Sequence, residues 1–344
     1  MNKSIPSLEK QRIEYIDLAK AIGIIFVIVG HIVSSDTVAK NVIYSFHMPL
    51  FFILSGFLLT IREYYSKETW KMLIIKKARG LLLPYIIWGL IYSAFSFKHS
   101  VFILYGTRET LINAESLTSL WFLPVMFLAF LLSELILQIA GKSEKPNLVI
   151  ATGIIGTAVI GFLIPHYPKY GDPWGIDIAF IATSFMLIGF FLRKGIKKLT
   201  NKTAQLTVLI TSLLLFIVLV RYSDSSVGYV LMANAVYGNA FVFFGCALSG
   251  SIAVIMASNM MTRFRLKGFQ TIGQKTLGIF VVHKPLVELG RSLVTKMGYS
   301  FDETVFVLII TVVALIVSYI TVTIIQMIIP EIIGLKHKTE RGIT

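Results

Sequence analysis

The sequence predicts an all-α bundle of transmembrane helices, and three observations support this fold class. The chain of 344 residues is 56% hydrophobic and 15% charged, with a mean hydropathy of +0.78. A soluble domain of this length cannot bury so much apolar surface. Its apolar residues are gathered into stretches near the ~20 residues that cross a bilayer, and its basic residues fall between those stretches. Together these features predict a multi-pass protein of the plasma membrane.

Ten apolar stretches have about the length of a membrane span. In chain order they cover residues 15–34, 43–61, 80–97, 120–139, 148–164, 176–192, 205–220, 240–258, 276–295 and 304–329. A shorter apolar stretch, 227–239, is interpreted as a re-entrant or interfacial piece, or as part of an eleventh span. The longest polar stretch lies near 98–119 and is too short for a second domain, so we expect one membrane domain over 1–344.

The loops between the stretches alternate in charge. Most lysines and arginines outside the stretches lie in the two terminal segments and in the loops 62–79, 142–145, 193–202 and 263–275. Because basic loops stay in the cytoplasm, both termini are predicted to be cytoplasmic. The same distribution accounts for the net charge of +14. It shows no basic patch with interleaved aromatic residues, so nucleic acid is not an expected partner.

Two ionisable side chains share one face of the first predicted helix. Lys20 and His31 are separated by about 1100° of helical rotation, so both project from the same side, about 16 Å apart along the axis. Asp17 is predicted to form an ion pair with Lys20, which lowers the cost of burying the amine. Ionisable groups inside a membrane are functional candidates by default. The alternative is a snorkelling lysine and a histidine that only bonds a neighbouring helix.

A second histidine, His47, is predicted to lie at the depth of His31. The short loop "SSDTVAKN" makes the first two helices antiparallel neighbours, and Asp36 in that loop is placed to orient an imidazole. Two histidines and a carboxylate suit general acid–base chemistry near neutral pH. They would also suit a metal, but no third ligand follows at metal-site spacing, so no metal site is predicted. The single cysteine, Cys246, excludes a cysteine-based site.

Five blocks in this order resemble the membrane acyltransferase 3 family, in particular its carbohydrate O-acetylases similar to fucose 4-O-acetylases. The blocks are "DLAKAIGIIFVIVGH", "FHMPLFFILSGFLL", "KKARGLLLPYIIW", "LWFLPVMFLAFLL" and "TLGIFVVHKPLV". In that family a basic residue, ten residues and a histidine lie in the first span, matched by Lys20 and His31. Its R-x-x-R-like pair is matched by Lys76 and Arg79, with lysine in place of the first arginine. His283 matches the histidine of a late span.

The resemblance implies a single acyltransferase domain that moves an acyl group, usually acetyl, from cytoplasmic acyl-CoA. The expected co-substrate is acetyl-CoA, and the expected acceptor is a hydroxyl of a cell-surface or lipid-linked saccharide, for which a polyprenyl carrier is one form. Lys76, Lys77 and Arg79 would hold the donor's phosphates, although a cytoplasmic loop is basic in any case. Lys20 would meet the pantetheine arm or a lipid phosphate. We group His283 with the donor-binding residues; a structural hydrogen bond to a helix carbonyl and a catalytic role are its alternatives.

The implied chemistry assigns the central role to His31. It would be the general base that takes the proton of the acceptor hydroxyl, with a covalent acyl-histidine as the less favoured variant. The carbonyl oxygen gains negative charge and needs a donor, for which His47, Ser45 and Ser55 are candidates. The alternative function is export of a polysaccharide or its precursor without chemistry, because a charged line through a bundle also suits transport. A purely structural or partner-binding subunit is the third interpretation.

Overall fold

The computed structural model describes residues 12–34, 37–62, 66–93, 103, 106, 119–164, 173–226, 230–298 and 302–335, with only the backbone for 224–226. In this part of the chain we number thirteen α-helices. They are α1 (Glu14–Ile32), α2 (Val38–Tyr44), α3 (His47–Gly56), α4 (Lys67–Lys77), α5 (Leu83–Tyr92), α6 (Phe122–Gly141), α7 (Pro146–Leu163), α8 (Ile176–Lys198), α9 (Lys202–Ser226), α10 (Ala240–Met261), α11 (Lys267–Gln274), α12 (Thr276–Lys296) and α13 (Glu303–Ile328).

Among the described residues, eight helical segments are long and apolar enough to cross a membrane. They are Glu14–Ile32, Val38–Gly56, Phe122–Gly141, Pro146–Leu163, Pro173–Lys198, Lys202–Ser223, Ala240–Phe264 and Glu303–Ile328. The prediction of an all-helical protein with many apolar helices is confirmed. The count of ten spans and the cytoplasmic side of the termini stay predictions.

The remaining two predicted spans have a different character. The stretch 276–295 is a helix, α12, but it carries more charged residues than an apolar span does. The stretch 80–97 is described only as far as residue 93. In the short stretch 227–239, the described residues form a turn closed by a bridge between Leu231 and Val236, not a further span.

Helix α1 lies at the centre of the bundle. It packs against α3, α10, α11, α12 and α13, and most of its residues are buried, including Leu18, Ile24 and Ile28. A helix that is apolar on nearly every side is typical of such a position. The helices α7, α9 and α13 expose most of their apolar surface, for example at Leu214 and Ile320, and these faces suit lipid contact. Lys20 and His31 therefore lie on a helix in the interior of the bundle.

Helices α3 and α8 cross with their backbones in close contact. A Cβ atom at Gly56 would lie 1.9 Å from the carbonyl oxygen of Met186, and one at Gly189 would lie 2.1 Å from the carbonyl oxygen of Ile53. Only residues without a side chain allow two membrane helices to approach so closely. The pair of glycines thus fixes where α8 crosses the helix that begins with His47.

One end of the bundle gathers the basic loops, and we call it the basic end. The guanidinium of Arg193, near the end of α8, donates to the carbonyl of Phe57 at 2.9 Å, just after α3. Gly141, at the end of α6, packs against the backbone of Arg62. Tyr15, at the start of α1, makes an edge-to-face contact with Phe57. The last turn of α1 lies at the opposite end. Just after that turn, the hydroxyl of Ser34 donates to the carboxylate of Glu303 at 3.0 Å.

A π-helical turn, Ala78–Leu82, joins α4 to α5 at the basic end. Pro84 has no N–H to donate to the carbonyl of Gly80 four residues earlier, so a regular α-helical turn cannot be completed there. Gly334, at φ 75°, packs close to that carbonyl: a Cβ atom in its place would lie 2.5 Å from the Gly80 oxygen. Single π turns occur often at functional sites, and this one carries Arg79.

Candidate active site

A cavity of about 990 Å³ opens at the basic end. Lys76, Lys77 and Arg79 line it from one helical stretch, and Lys76 and Arg79 are exposed at its mouth. Lys20 lines it from α1, and Glu331 is a carboxylate in the described lining. The structure thus brings together, around one opening, the four basic residues that the sequence singled out at this end. The mouth is suited to an anionic group.

Apart from the basic residues, the lining of the cavity is mainly apolar. Its described lining includes Phe51, Met126, Phe130, Met186 and Leu277. A pocket with charge at the mouth and apolar walls suits a ligand with an anionic head and a long, weakly polar arm. The ammonium of Lys77 also lies over the ring of Phe130, 3.9 Å from its centre, so the polar mouth and the apolar interior meet there.

Asp17 has other direct partners than the predicted one. Its carboxylate accepts from Arg12 Nε at 3.3 Å and from Gln274 Nε2 at 3.3 Å, and among the described atoms it makes no direct ion pair with Lys20. The two charges still act on each other through space. Gly273 lets α11 approach α1 closely, because a Cβ atom there would lie 1.8 Å from the Asp17 carbonyl oxygen. Asp17 therefore ties α11 to α1, and Lys20 faces the cavity.

His31 packs against His283, with 5.2 Å between the ring centres. The ring of His283 is fully buried, and its Nδ1 lies 2.7 Å from the carbonyl oxygen of Phe280. The sequence paired His31 with His47. In the structure His47 is also buried and within electrostatic range of His31, but its own Nδ1 lies 2.7 Å from the carbonyl oxygen of Ile43. Asp36, the predicted orienting carboxylate, lies outside the described residues.

Three contacting phenylalanine rings line one side of the cavity, and we call them the aromatic wall: Phe51, Phe122 and Phe280. All three line the cavity. The ring centres of Phe122 and Phe280 are 5.3 Å apart, and those of Phe51 and Phe122 are 6.0 Å apart. On its far side Phe280 contacts His283, with 5.9 Å between ring centres. Phe280 therefore links the lining of the cavity to the histidine pair.

The two serine hydroxyls predicted as candidate donors to the carbonyl oxygen have different surroundings. Ser55 lines the cavity. Ser45 is buried, and its hydroxyl donates to the carbonyl of Val42 at 2.8 Å. Ser55 is therefore the candidate that faces the space where a ligand would lie. In the part of the chain that the structure describes, no group of three His, Cys, Asp or Glu side chains is arranged to hold a metal.

Sequence reasoning did not single out several residues around the site. Arg291 donates to the carbonyls of His31, at 3.1 Å, and Ile32, and so satisfies acceptors that a helix end leaves open. Phe280 carried a usable signal, because it precedes His283 by three residues and so shares its helix face. Gln274 and Glu331 carried none, since only the folded chain brings them to the cavity.

Comparison with protein families gives one match over most of the chain. A family model described as an acyltransferase domain matches residues 13–323. The matched region contains His31 and His283 and, of the residues at the cavity mouth, Lys76, Lys77 and Arg79. Comparisons with curated proteins and with solved structures find no match.

Proposed function

Because the chain belongs to the acyltransferase 3 family, whose model matches residues 13–323, we propose that this membrane acyltransferase transfers an acetyl group from acetyl-CoA to a saccharide hydroxyl. The acceptor is a cell-surface or lipid-linked saccharide, and the enzyme works in the plasma membrane with the basic end in the cytoplasm. The observation that supports the proposal is the cavity: it has a cluster of basic side chains and mainly apolar walls, and Phe280 in its lining contacts His283, which packs against His31.

The donor enters from the basic end. Its phosphates are held by Lys76, Lys77 and Arg79, since ammonium and guanidinium groups make strong charge-assisted bonds to phosphate. The extended thioester arm then lies in the apolar interior beside Lys20. From there the acetyl group has to cover about 16 Å along α1 to reach His31, and the rings of the aromatic wall turn aside to let it pass.

His31 acts as the general base. It takes the proton of the acceptor hydroxyl while the hydroxyl oxygen attacks the thioester carbonyl. The new C–O bond forms, the C–S bond breaks, and the protonated imidazole returns its proton to the leaving thiolate. The carbonyl oxygen gains negative charge in between and needs a donor. Ser55 and His47 are the proposed donors, because the Ser45 hydroxyl is already bonded.

The test is transfer of radiolabelled acetyl from acetyl-CoA into the glycan fraction of membranes from cells that express the protein. Wild-type membranes should incorporate the label, and mass spectrometry of the surface glycans should show one added acetyl unit. The variant His31→Ala should insert normally and lose transfer by roughly 10²- to 10⁴-fold, the usual contribution of a general base.

The matched control is Lys145→Ala, an exposed residue of the basic end that does not line the cavity; it should transfer as the wild type does. Full activity of His31→Ala would refute the assignment of the base. If wild-type membranes incorporate no acetyl and the purified protein does not cleave acetyl-CoA, the enzymatic function fails, and export of a saccharide without chemistry takes its place.

A further inference from the structure

The two ring nitrogens of His283 are in different situations. Nδ1 lies 2.7 Å from the carbonyl oxygen of Phe280. A carbonyl only accepts, so Nδ1 carries the hydrogen and Nε2 of the neutral ring is a free acceptor. The ring is fully buried, and no described residue lies within hydrogen-bond distance of Nε2. Buried polar atoms are nearly always paired, so an unpaired acceptor in the interior calls for a functional explanation.

The side chain of His31 packs against this ring. The two ring centres are 5.2 Å apart and the rings are tilted by 42°. Two imidazoles joined by an N–H···N bond of about 2.9 Å have ring centres roughly 5 Å apart. The spacing of the ring centres is therefore that of a hydrogen-bonded pair of imidazoles.

We propose that His283 is the positioning residue for His31. Its Nε2 accepts the N–H of His31, which fixes the tautomer of His31 and leaves the other nitrogen as the base toward the acceptor hydroxyl. When His31 takes the proton, the same bond stabilises the imidazolium, as the third member of a nucleophile–base–orienting group does elsewhere. His283 itself neither gains nor loses a proton in the step. The inference rests on the proposed function of His31.

The surroundings of the pair also carry charge. Lys284 follows His283 on α12 and lies 3.8 Å from Glu288. Lys40 on α2, His47 on α3 and Lys284 act electrostatically on His31. These groups belong to the helices packed around the pair. Their effect on the pH profile has to stay constant between the variants that are compared. For this reason the test changes only His283 and reads several quantities at once.

The experiment compares His283→Leu with His283→Gln in the membrane assay with radiolabelled acetyl-CoA. Leucine keeps apolar bulk and removes the acceptor, whereas the side-chain oxygen of glutamine reaches the position of Nε2. We expect His283→Leu to lower kcat by roughly 10- to 100-fold, a part of the contribution of the base, with KM for acetyl-CoA unchanged and a shifted pH profile. His283→Gln should recover most of kcat and the wild-type profile.

A double variant tests whether His283 acts through His31. His31→Ala with His283→Leu should be no slower than His31→Ala alone, because the orienting bond has no function without the base. Wild-type kcat and pH profile in His283→Leu would overturn the proposal, and so would equal losses in the Leu and Gln variants at unchanged folding. If His283→Leu does not fold, His283→Asn replaces it. The side-chain oxygen of asparagine reaches the position of Nδ1 but not that of Nε2. Equal activity of His283→Asn and His283→Gln would then overturn the proposal. An inactive wild type refutes the proposed function instead.

Discussion

Lys76 and Arg79 lie three residues apart where α4 passes into the π turn, and both side chains are exposed at the mouth of the cavity. Neither is needed to fill the core, because both side chains are exposed. The predicted position of this loop at the cytoplasmic face would account for their charge. It does not explain why two members of one loop, with Lys77, line the same opening.

The first prediction concerns these two residues. The double variant Lys76→Ala and Arg79→Ala should bind acetyl-CoA at least 10-fold more weakly, because each charge-assisted bond to phosphate contributes about 1.5–3 kcal/mol. Folding should be unchanged, since both side chains are exposed. Calorimetric titration of the purified protein measures the affinity. The control is Lys142→Ala with Lys145→Ala, which removes two charges at the same end outside the cavity lining; equal affinity in both double variants would contradict the prediction.

At the residue level the sequence predicted the positions of side chains along one helix better than the contacts between side chains of different helices. Lys20 and His31 could be placed on one face because helix geometry acts over eleven residues. The contact of His31 with His283 joins helices at the two ends of the chain, and no local pattern reports it. Asp17 likewise was assigned to Lys20, its neighbour in sequence, whereas its carboxylate accepts from Arg12 and from Gln274 of a distant helix.

Among the elements, the crossing of α3 and α8 depends most sharply on single atoms. Gly56 and Gly189 each face a backbone carbonyl of the other helix at a distance that excludes any side chain. The crossing holds the last turn of α3 against α8. It also fixes the end of α3, where Arg193 of α8 donates to the carbonyl of Phe57.

The second prediction concerns this crossing. Gly56→Ala should lower the free energy of unfolding by about 1–3 kcal/mol, because the added methyl group forces the two helices apart. Gly156→Ala on α7 is the matched control, since a Cβ atom there meets nothing within 4 Å; it should be neutral or stabilise by up to about 1 kcal/mol. Thermal unfolding in one detergent compares them. A Gly56→Ala protein as stable as Gly156→Ala would show that the helices can separate without cost.

The elements that the sequence did not predict share a physical cause. Span prediction follows apolar length, and α4 and α11 are short helices with many polar residues, so both were assigned to basic loops. Helix α12 was predicted as a span, but its charged residues include Lys284 and Glu288, which pair within the helix, and Arg291, which donates to the carbonyl of His31. Such helices carry site residues because they are not required to be uniformly apolar.

Over the whole molecule, the alternation of basic loops and the position of the cavity agree. Arg62, Lys142 and Arg193 lie at the same end as the opening lined by Lys76 and Arg79. The distribution of charge along the sequence thus predicts on which side a soluble anionic donor would be taken up. Apolar length predicted most of the helices, whereas the cavity itself follows from tertiary packing.

The third prediction tests this orientation. The only cysteine, Cys246, is buried, so a Cys246→Ala background allows single cysteines to be placed at Lys145 and Lys296, both exposed and at opposite ends. A membrane-impermeant maleimide should label Lys296→Cys in intact cells and Lys145→Cys only after permeabilisation. The reverse pattern would place the cavity outside the cell and exclude cytoplasmic acetyl-CoA as the donor.

The aromatic wall has an electrical consequence. Water that fills the cavity from the basic end brings a high dielectric as far as Phe51, Phe122 and Phe280, so the transmembrane voltage falls mainly across these rings and the helices beyond them. Moving one elementary charge through that voltage changes its energy by about 2.3 kcal/mol per 100 mV. An anionic ligand bound in the cavity under the proposed function would therefore experience little of that voltage as long as the rings stay in place.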